Sequence, residues 1–231
     1  LVGSEMCIRD SNITGSYNAA GMLGQNGNTA PTDRSSPVQV PGTIWSEVIS
    51  GSCVHARKND NTLWAWGGSN SYGQLGLNQS GSVSYSSPVQ IPSTSSQWSK
   101  LHRIQGQYNS VFASRTDETT RCWGKNSHGQ LGLNNRTHFS SPVMIRGDWT
   151  HITTDGNSTF GIKSDMTLWA WGYGNNGMLG LRPNIPTGMA EDSYSSPTQM
   201  AANFGPTGRI SGWVAVAPRM ATVSYTHLTL P

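Results

Sequence analysis

Cys7, Cys53 and Cys122, together with His55, His102, His128, His138 and His151, are the side chains of this 231-residue chain best suited to nucleophilic or metal-assisted chemistry. Their spacing suits neither. Zinc and thiol sites gather their ligands at short fixed steps, as in Cys-x-x-Cys pairs or a helical His-x-x-x-His, because one ion must be reached from neighbouring turns of chain. The three cysteines are odd in number and far apart, so neither a metal site nor a disulfide framework is expected. Cys53 falls where Ser158 falls in a similar stretch, and Cys122 where Ala65 and Ala170 fall; both read as small core fillers. The histidines occupy unrelated positions and read as surface or loop residues. No catalytic residue, metal ligand, cofactor-binding residue or cofactor is expected.

Charge narrows the partners. Fifteen Lys and Arg against twelve Asp and Glu leave a net charge of +3, and the basic residues are scattered. A nucleic-acid binder needs a clustered basic footprint, so no direct nucleic-acid binding is expected. No apolar run reaches the length that crosses a bilayer, and no membrane role is expected. Only 12% of residues are charged, while 27 glycines mark a turn-rich chain and nine tryptophans supply large apolar surfaces for a core.

The elements that would position any site repeat along the chain. Gly-x-Leu-Gly occurs as Gly21-Met22-Leu23-Gly24, Gly73-Gln74-Leu75-Gly76, Gly129-Gln130-Leu131-Gly132 and Gly177-Met178-Leu179-Gly180. Ser-Ser-Pro follows each time, and its prolines, Pro37, Pro88, Pro142 and Pro197, are separated by 51, 54 and 55 residues. Before the Gly-x-Leu-Gly stand Leu63-Trp64-Ala65-Trp66-Gly67, Arg121-Cys122-Trp123-Gly124 and Leu168-Trp169-Ala170-Trp171-Gly172, with Asn12-Ile13-Thr14-Gly15 at the matching place in the first unit. After each proline comes a fourth anchor, beginning at Trp45, Trp98, Trp149 and Trp213. The repeats delimit units at about 12–66, 67–123, 124–171 and 172–216. The opening residues 1–11 and the closing residues 223–231 resemble translated sequencing-adapter read-through, are expected to be non-native, and imply a natural chain that is longer on both sides.

Between anchors, apolar and β-branched residues alternate over four to eight positions bounded by Gly, Asn, Asp or Pro, which predicts short strands and no helix. Ser158 to Lys163, turned by Asp165-Met166-Thr167 into Leu168 to Trp171, reads as a hairpin, and Cys53 to Arg57 with Leu63 to Trp66 as its counterpart. Successive side chains of a strand point to opposite faces, so Leu-Trp-Ala-Trp needs a sheet packed on each side. Small sheets stacked face to face around an axis meet that need. The prolines are expected at strand starts or sheet edges.

Trp-x-Trp-Gly, Gly-Gln-Leu-Gly and Ser-Ser-Pro-Val together resemble the regulator of chromosome condensation repeat over about Asn12 to Thr222. The resemblance implies an all-β fold, a β-propeller with about four blades of an expected seven, hence incomplete. It also implies a non-catalytic protein-interaction scaffold, with nucleotide exchange on a small GTPase as the alternative. A distant alternative is a carbohydrate-binding or sialidase-like propeller, for which Ser164-Asp165-Met166-Thr167-Leu168-Trp169 is a partial echo, and no convergent set of arginines supports it. Function in repeat proteins sits where units vary, here between Gly-x-Leu-Gly and Ser-Ser-Pro. Tyr85, Arg136, His138 and Tyr194 are the candidate partner-binding residues, since aromatic and Arg side chains most often anchor interfaces.

Overall fold

A computed structural model describes residues 7–8, 21–26, 37–68, 70–93, 97–104, 109–181, 193–200, 213–219 and 222–227. Three antiparallel meanders dominate it. Sheet I runs β3 (Trp45–Ser50), β4 (Val54–Lys58), β5 (Leu63–Gly67) and β6 (Tyr85–Gln90). Sheet II runs β7 (Trp98–Leu101), β9 (Ser110–Arg115), β10 (Thr120–Gly124) and β11 (Phe139–Ile145). Sheet III runs β12 (Trp149–Thr154), β13 (Ser158–Lys163), β14 (Leu168–Gly172) and β15 (Tyr194–Gln199), and the short β8 (Arg103–Ile104) adds to its edge in parallel with β12. Two two-stranded pairs complete the described strands, β1 (Cys7–Ile8) with β2 (Val38–Gln39) and β16 (Trp213–Arg219) with β17 (Thr222–His227). The Asn12-Ile13-Thr14-Gly15 anchor lies outside the described residues.

The sequence units straddle the sheets. Residues 67–123, for example, supply β6 to sheet I and most of sheet II. The repeats therefore build three whole four-stranded sheets among the described residues, and the anchors at either end fall to the flanking pairs.

Local chemistry fixes the turns. Between second and third strands, Asp60 Oδ1 accepts from the backbone N–H of Thr62 (3.0 Å) and from its hydroxyl (2.6 Å), and Asn61 between them takes a left-handed φ of 63°. Asp117 with Thr119 and Asp165 with Thr167 repeat both bonds at the same distances. A short carboxylate closing on the backbone two residues ahead is the local bond that favours a tight turn over a continued strand. The Ser-Ser-Pro segments form β6, β11 and β15, which lie at sheet edges where a missing N–H costs no ladder bond.

The Trp strands are buried on both faces, as their pattern requires. Leu63 and Ala65 enter one core with Trp98, Val111 and Trp123 of sheet II. Trp66, on the opposite face, packs with Val40, Trp45 and Val54 in another. Cys122 then faces Trp149, Ile152 and Trp171 between sheets II and III. The last indole of each Trp strand also reaches back to the Gly-x-Leu-Gly loop before its own sheet: Trp66 Nε1 donates to Met22 O (3.0 Å), Trp123 Nε1 to Gln74 O (2.9 Å) and Trp171 Nε1 to Gln130 O (2.8 Å). The acceptor is always the second residue of Gly-x-Leu-Gly. The glycine before it lies against the next sheet; a Cβ on Gly73 would sit 2.4 Å from Ser140 Cα, and Gly73 has φ +76°. After the motif, Asn78 and Asn134 donate their backbone N–H to Ser140 O (2.8 Å) and Ser195 O (2.7 Å). The anchors that belong to the three sheets are thus parts of the joints between them.

Candidate partner-binding rim

The chain leaves each Trp strand at a glycine and enters a loop held from inside by buried amides. Asn70 Oδ1 accepts from Leu75 N (3.1 Å) and Asn126 Oδ1 from Leu131 N (2.9 Å). Gln74 Oε1 accepts from Tyr72 N and Gln130 Oε1 from His128 N, both at 2.9 Å. With the amides turned inward, Tyr72 and His128 are left half-exposed at the rim.

Around them collects a stripe drawn from all three sheets. The Tyr72 ring meets His138 edge-on at 4.9 Å, and Lys125 Nζ lies 5.8 Å from the centre of the same ring. Lys125 also donates to Asn157 Oδ1 of the sheet III loop (3.3 Å). Farther along, His128 packs on Tyr173 at 4.7 Å. His138 Nδ1 accepts from Asn126 N (2.9 Å), which fixes an unprotonated nitrogen there. Partial burial, then the charge of Lys125, holds His138 below the ordinary imidazole range; His128 is held down in the same way, with Arg136 adding to the effect. The stripe is an aromatic surface edged by fixed positive charge.

The four residues singled out from sequence divide. Arg136 and His138 are exposed on the loop that borders the stripe, and Arg136 Nη2 donates across to Ser193 O (3.4 Å). Tyr85 and Tyr194 begin β6 and β15, and their rings pack against the cores on either side of their own sheets. Phe139 does the same at the start of β11. The Tyr85 hydroxyl donates to Gln79 Oε1 (2.9 Å). Tyr72, Lys125, His128 and Tyr173 were not singled out, although the change from Tyr72 to His128 just before an otherwise constant Gly-Gln-Leu-Gly was a visible signal.

Two histidines differ from the surface reading. His55 and His102 are each 1% exposed. His55 occupies the register place of Phe112 and Phe160 and meets Trp123 edge-on at 5.7 Å, as Phe112 meets Trp171 at 6.4 Å. His102 bridges sheets, its Nδ1 accepting from Ile152 N (3.1 Å) and its Nε2 meeting Ser114 Oγ (2.8 Å). Burial pushes the His55 pKa down to about 4 and that of His102 to about 3.

Cys53 Sγ lies 3.9 Å from His55 Nδ1, the one place where a thiol and an imidazole meet among the described residues. A nucleophilic pair needs thiolate and imidazolium. Burial drives both the other way, raising Cys53 to about 12, and it raises Cys122 further still. Both are packing residues. Asp165 is equally committed, since its carboxylate closes the turn that recurs at Asp60 and Asp117. Among the described residues no three His, Cys, Asp or Glu side chains gather as a metal site would require, and no helix is long and apolar enough to cross a membrane.

Comparison with known proteins agrees with this architecture. Residues 60–111 match the family model for the regulator of chromosome condensation (RCC1) repeat. A human protein named "Probable E3 ubiquitin-protein ligase HERC6" is 31% identical over 133 residues, which is 56% of this chain but 12% of that protein. Among solved structures, human WBSCR16 superposes with a TM-score of 0.66 at 17% identity, over 86% of this chain and 50% of its own. Prp20p of Saccharomyces cerevisiae, solved in a study of its binding to Gsp1p and histones, gives 0.65 at 15% identity, over 80% and 45%. The chain therefore spans about half the length of these two structures, and likeness at such identities is likeness of fold.

Proposed function

From the premise that this chain is built of regulator of chromosome condensation repeats, we propose that it is a non-catalytic β-propeller module that holds a protein partner on the rim of Tyr72, Lys125, His128, His138 and Tyr173, with Arg136 at its border. One observation carries the reading. The repeated residues are spent on joints between sheets, whereas the rim side chains change from unit to unit and still converge across three sheets. Aromatic rings beside a fixed cation supply contact area at low entropic cost. Lys125 and Arg136 would favour an acidic segment in the partner and speed its approach.

The test is recovery of protein partners by the whole chain, compared with a variant carrying Tyr72→Ala, Lys125→Ala and His138→Ala together. Loss of recovered partners with an unchanged fold is expected. Recovery at parental levels would discard the rim. Exchange on a small GTPase, which the repeat resemblance implies, is the second reading. A nucleotide-release assay separates the two, because acceleration by this chain would put exchange in place of passive scaffolding. Glycoside hydrolysis finds no support, as Asp165 is used to close its turn.

A further inference from the structure

Sheet II departs from its neighbours at one register position. In sheets I and III two indoles stand nearly perpendicular, Trp45 to Trp64 (6.2 Å, 80°) and Trp149 to Trp169 (6.3 Å, 87°). One ammonium lies over both rings: Lys58 at 4.8 and 4.3 Å, Lys163 at 5.2 and 3.7 Å. Each pair cages a single cation supplied by its own sheet. Sheet II keeps the first indole, Trp98, with Arg115 over it at 4.8 Å. At the second indole position it has Arg121, opposite Ala113 and Met144 as Trp64 is opposite Ala56 and Gln90.

The substitution turns a site for one cation into a site with two. Arg121 acts on Arg115 strongly enough to oppose its charging, second only to burial, while Asp117 favours that charge. Asp117 Oδ1 also closes the turn, accepting from Thr119 N and Oγ1. Arg121 Nε is buried with no hydrogen-bond partner among the described residues. A buried donor of this kind costs free energy until an acceptor reaches it, and two guanidiniums beside the single carboxylate of Asp117 leave an excess of positive charge on this face. Guanidinium forks match the oxygens of a tetrahedral oxyanion in pairs, and a dianion answers both charges where a carboxylate answers one. Stacking on Trp98 holds one fork in place.

We propose that Arg115 and Arg121 form a binding site for a phosphate-type oxyanion, either free phosphate or the phosphate monoester of a modified side chain. It lies at the Asp-x-Thr turn end of sheet II, the opposite end from the rim, because β10 runs from that turn towards Gly124. Its success or failure is therefore separate from that of the scaffold reading.

The experiment follows the side-chain Nε–Hε resonances of arginine in the ¹⁵N-labelled whole chain at constant ionic strength. The titrants are inorganic phosphate, a phosphothreonine peptide, the same peptide unphosphorylated, and acetate. Saturable shifts of the Arg115 and Arg121 signals with the two phosphate-bearing titrants are expected. Arg121→Trp rebuilds the indole pair that sheets I and III already fold around, and should weaken phosphate binding about tenfold, the worth of one charge-assisted hydrogen bond. Tighter binding of the phosphopeptide than of inorganic phosphate would make a modified protein the source; equal binding would make it free phosphate. Shifts that never saturate, an equal response to acetate, or undiminished binding by Arg121→Trp would overturn the site.

Discussion

Between sheets I and II, Trp123 Nε1 donates to Gln74 O, His55 stands edge-on to that indole, and Glu47 Oε2 accepts from Leu101 N (2.8 Å) across the gap. Between sheets II and III, Trp171 Nε1 donates to Gln130 O, Phe112 stands edge-on to the indole, and His102 Nδ1 accepts from Ile152 N (3.1 Å). The two joints have the same geometry and differ in which groups can ionise. What is repeated, the indole, the carbonyl it reaches and the glycine against the next serine, is what the joint needs sterically. What differs shows which places accept any ring or any acceptor of the right size, and those places give the joints unequal sensitivity to pH.

The strongest way to break the equivalence is to empty each joint in turn. Trp123→Ala and Trp171→Ala each remove a fully buried indole and its bond to the preceding Gly-x-Leu-Gly loop. Each should cost roughly 3–5 kcal/mol in denaturant unfolding. A loss at one site of less than half that at the other would show that the joints are not energetically alike. Next in size is Gly73→Ala, which adds a Cβ 2.4 Å from backbone at φ +76°, against Gly81→Ala, at φ +105° with nothing within 4 Å. The exposed control should lose about 1 kcal/mol from backbone strain alone, and Gly73→Ala roughly 3 kcal/mol because Ser140 must also move. Equal losses would remove the close approach of the two sheets from the explanation.

Acid sharpens the comparison further. His55 is neutral in the folded chain down to about pH 4, whereas an unfolded histidine takes up its proton near pH 6.5. Between those values the unfolded state binds more protons, so stability is present above about pH 6.5 and is lost as pH falls towards 4, by roughly 3 kcal/mol. His55→Phe copies the ring that Phe112 and Phe160 already provide, and it removes an Nε2 that is buried with no hydrogen-bond partner among the described residues. The variant should match or exceed the parent at pH 7 and lose distinctly less by pH 4. His102 keeps its own acid dependence in the second joint. Identical pH profiles for parent and variant would show that the first joint does not feel its imidazole.

Much of this was legible in the residues. The four anchors announced sheets stacked face to face, because a Leu-Trp-Ala-Trp strand has no other way to bury both faces, and Ser-Ser-Pro announced edge strands. The joints themselves were not legible, since a strand pattern says which faces are apolar but not that Trp123 would find the carbonyl of Gln74, 49 residues earlier. His55 and His102 misled because a polar side chain carries no sign that it fills a phenylalanine's place or bridges two sheets. The rim was half legible. Arg136 and His138 stand out in a variable loop, but Tyr72 and His128 hide beside constant glycines, and nothing local distinguishes the wedged rings of Tyr85 and Tyr194 from exposed ones. That distinction depends on the sheets to either side.

The smallest expected effect belongs to the rim, and it completes the contrast with the joints. Tyr72 meets His138 and has Lys125 beside its ring, but the three enter none of the buried clusters between sheets. Tyr72→Ala and Lys125→Ala should each change unfolding stability by no more than about 0.5 kcal/mol, the usual range for surface positions. His138→Ala should cost slightly more, because the imidazole satisfies Asn126 N. Residues that contribute so little to holding the sheets together are the ones free to vary with a partner. If one of the first two substitutions destabilised the chain as Gly73→Ala does, that residue would belong to a joint, and its convergence with its neighbours would be explained by packing alone.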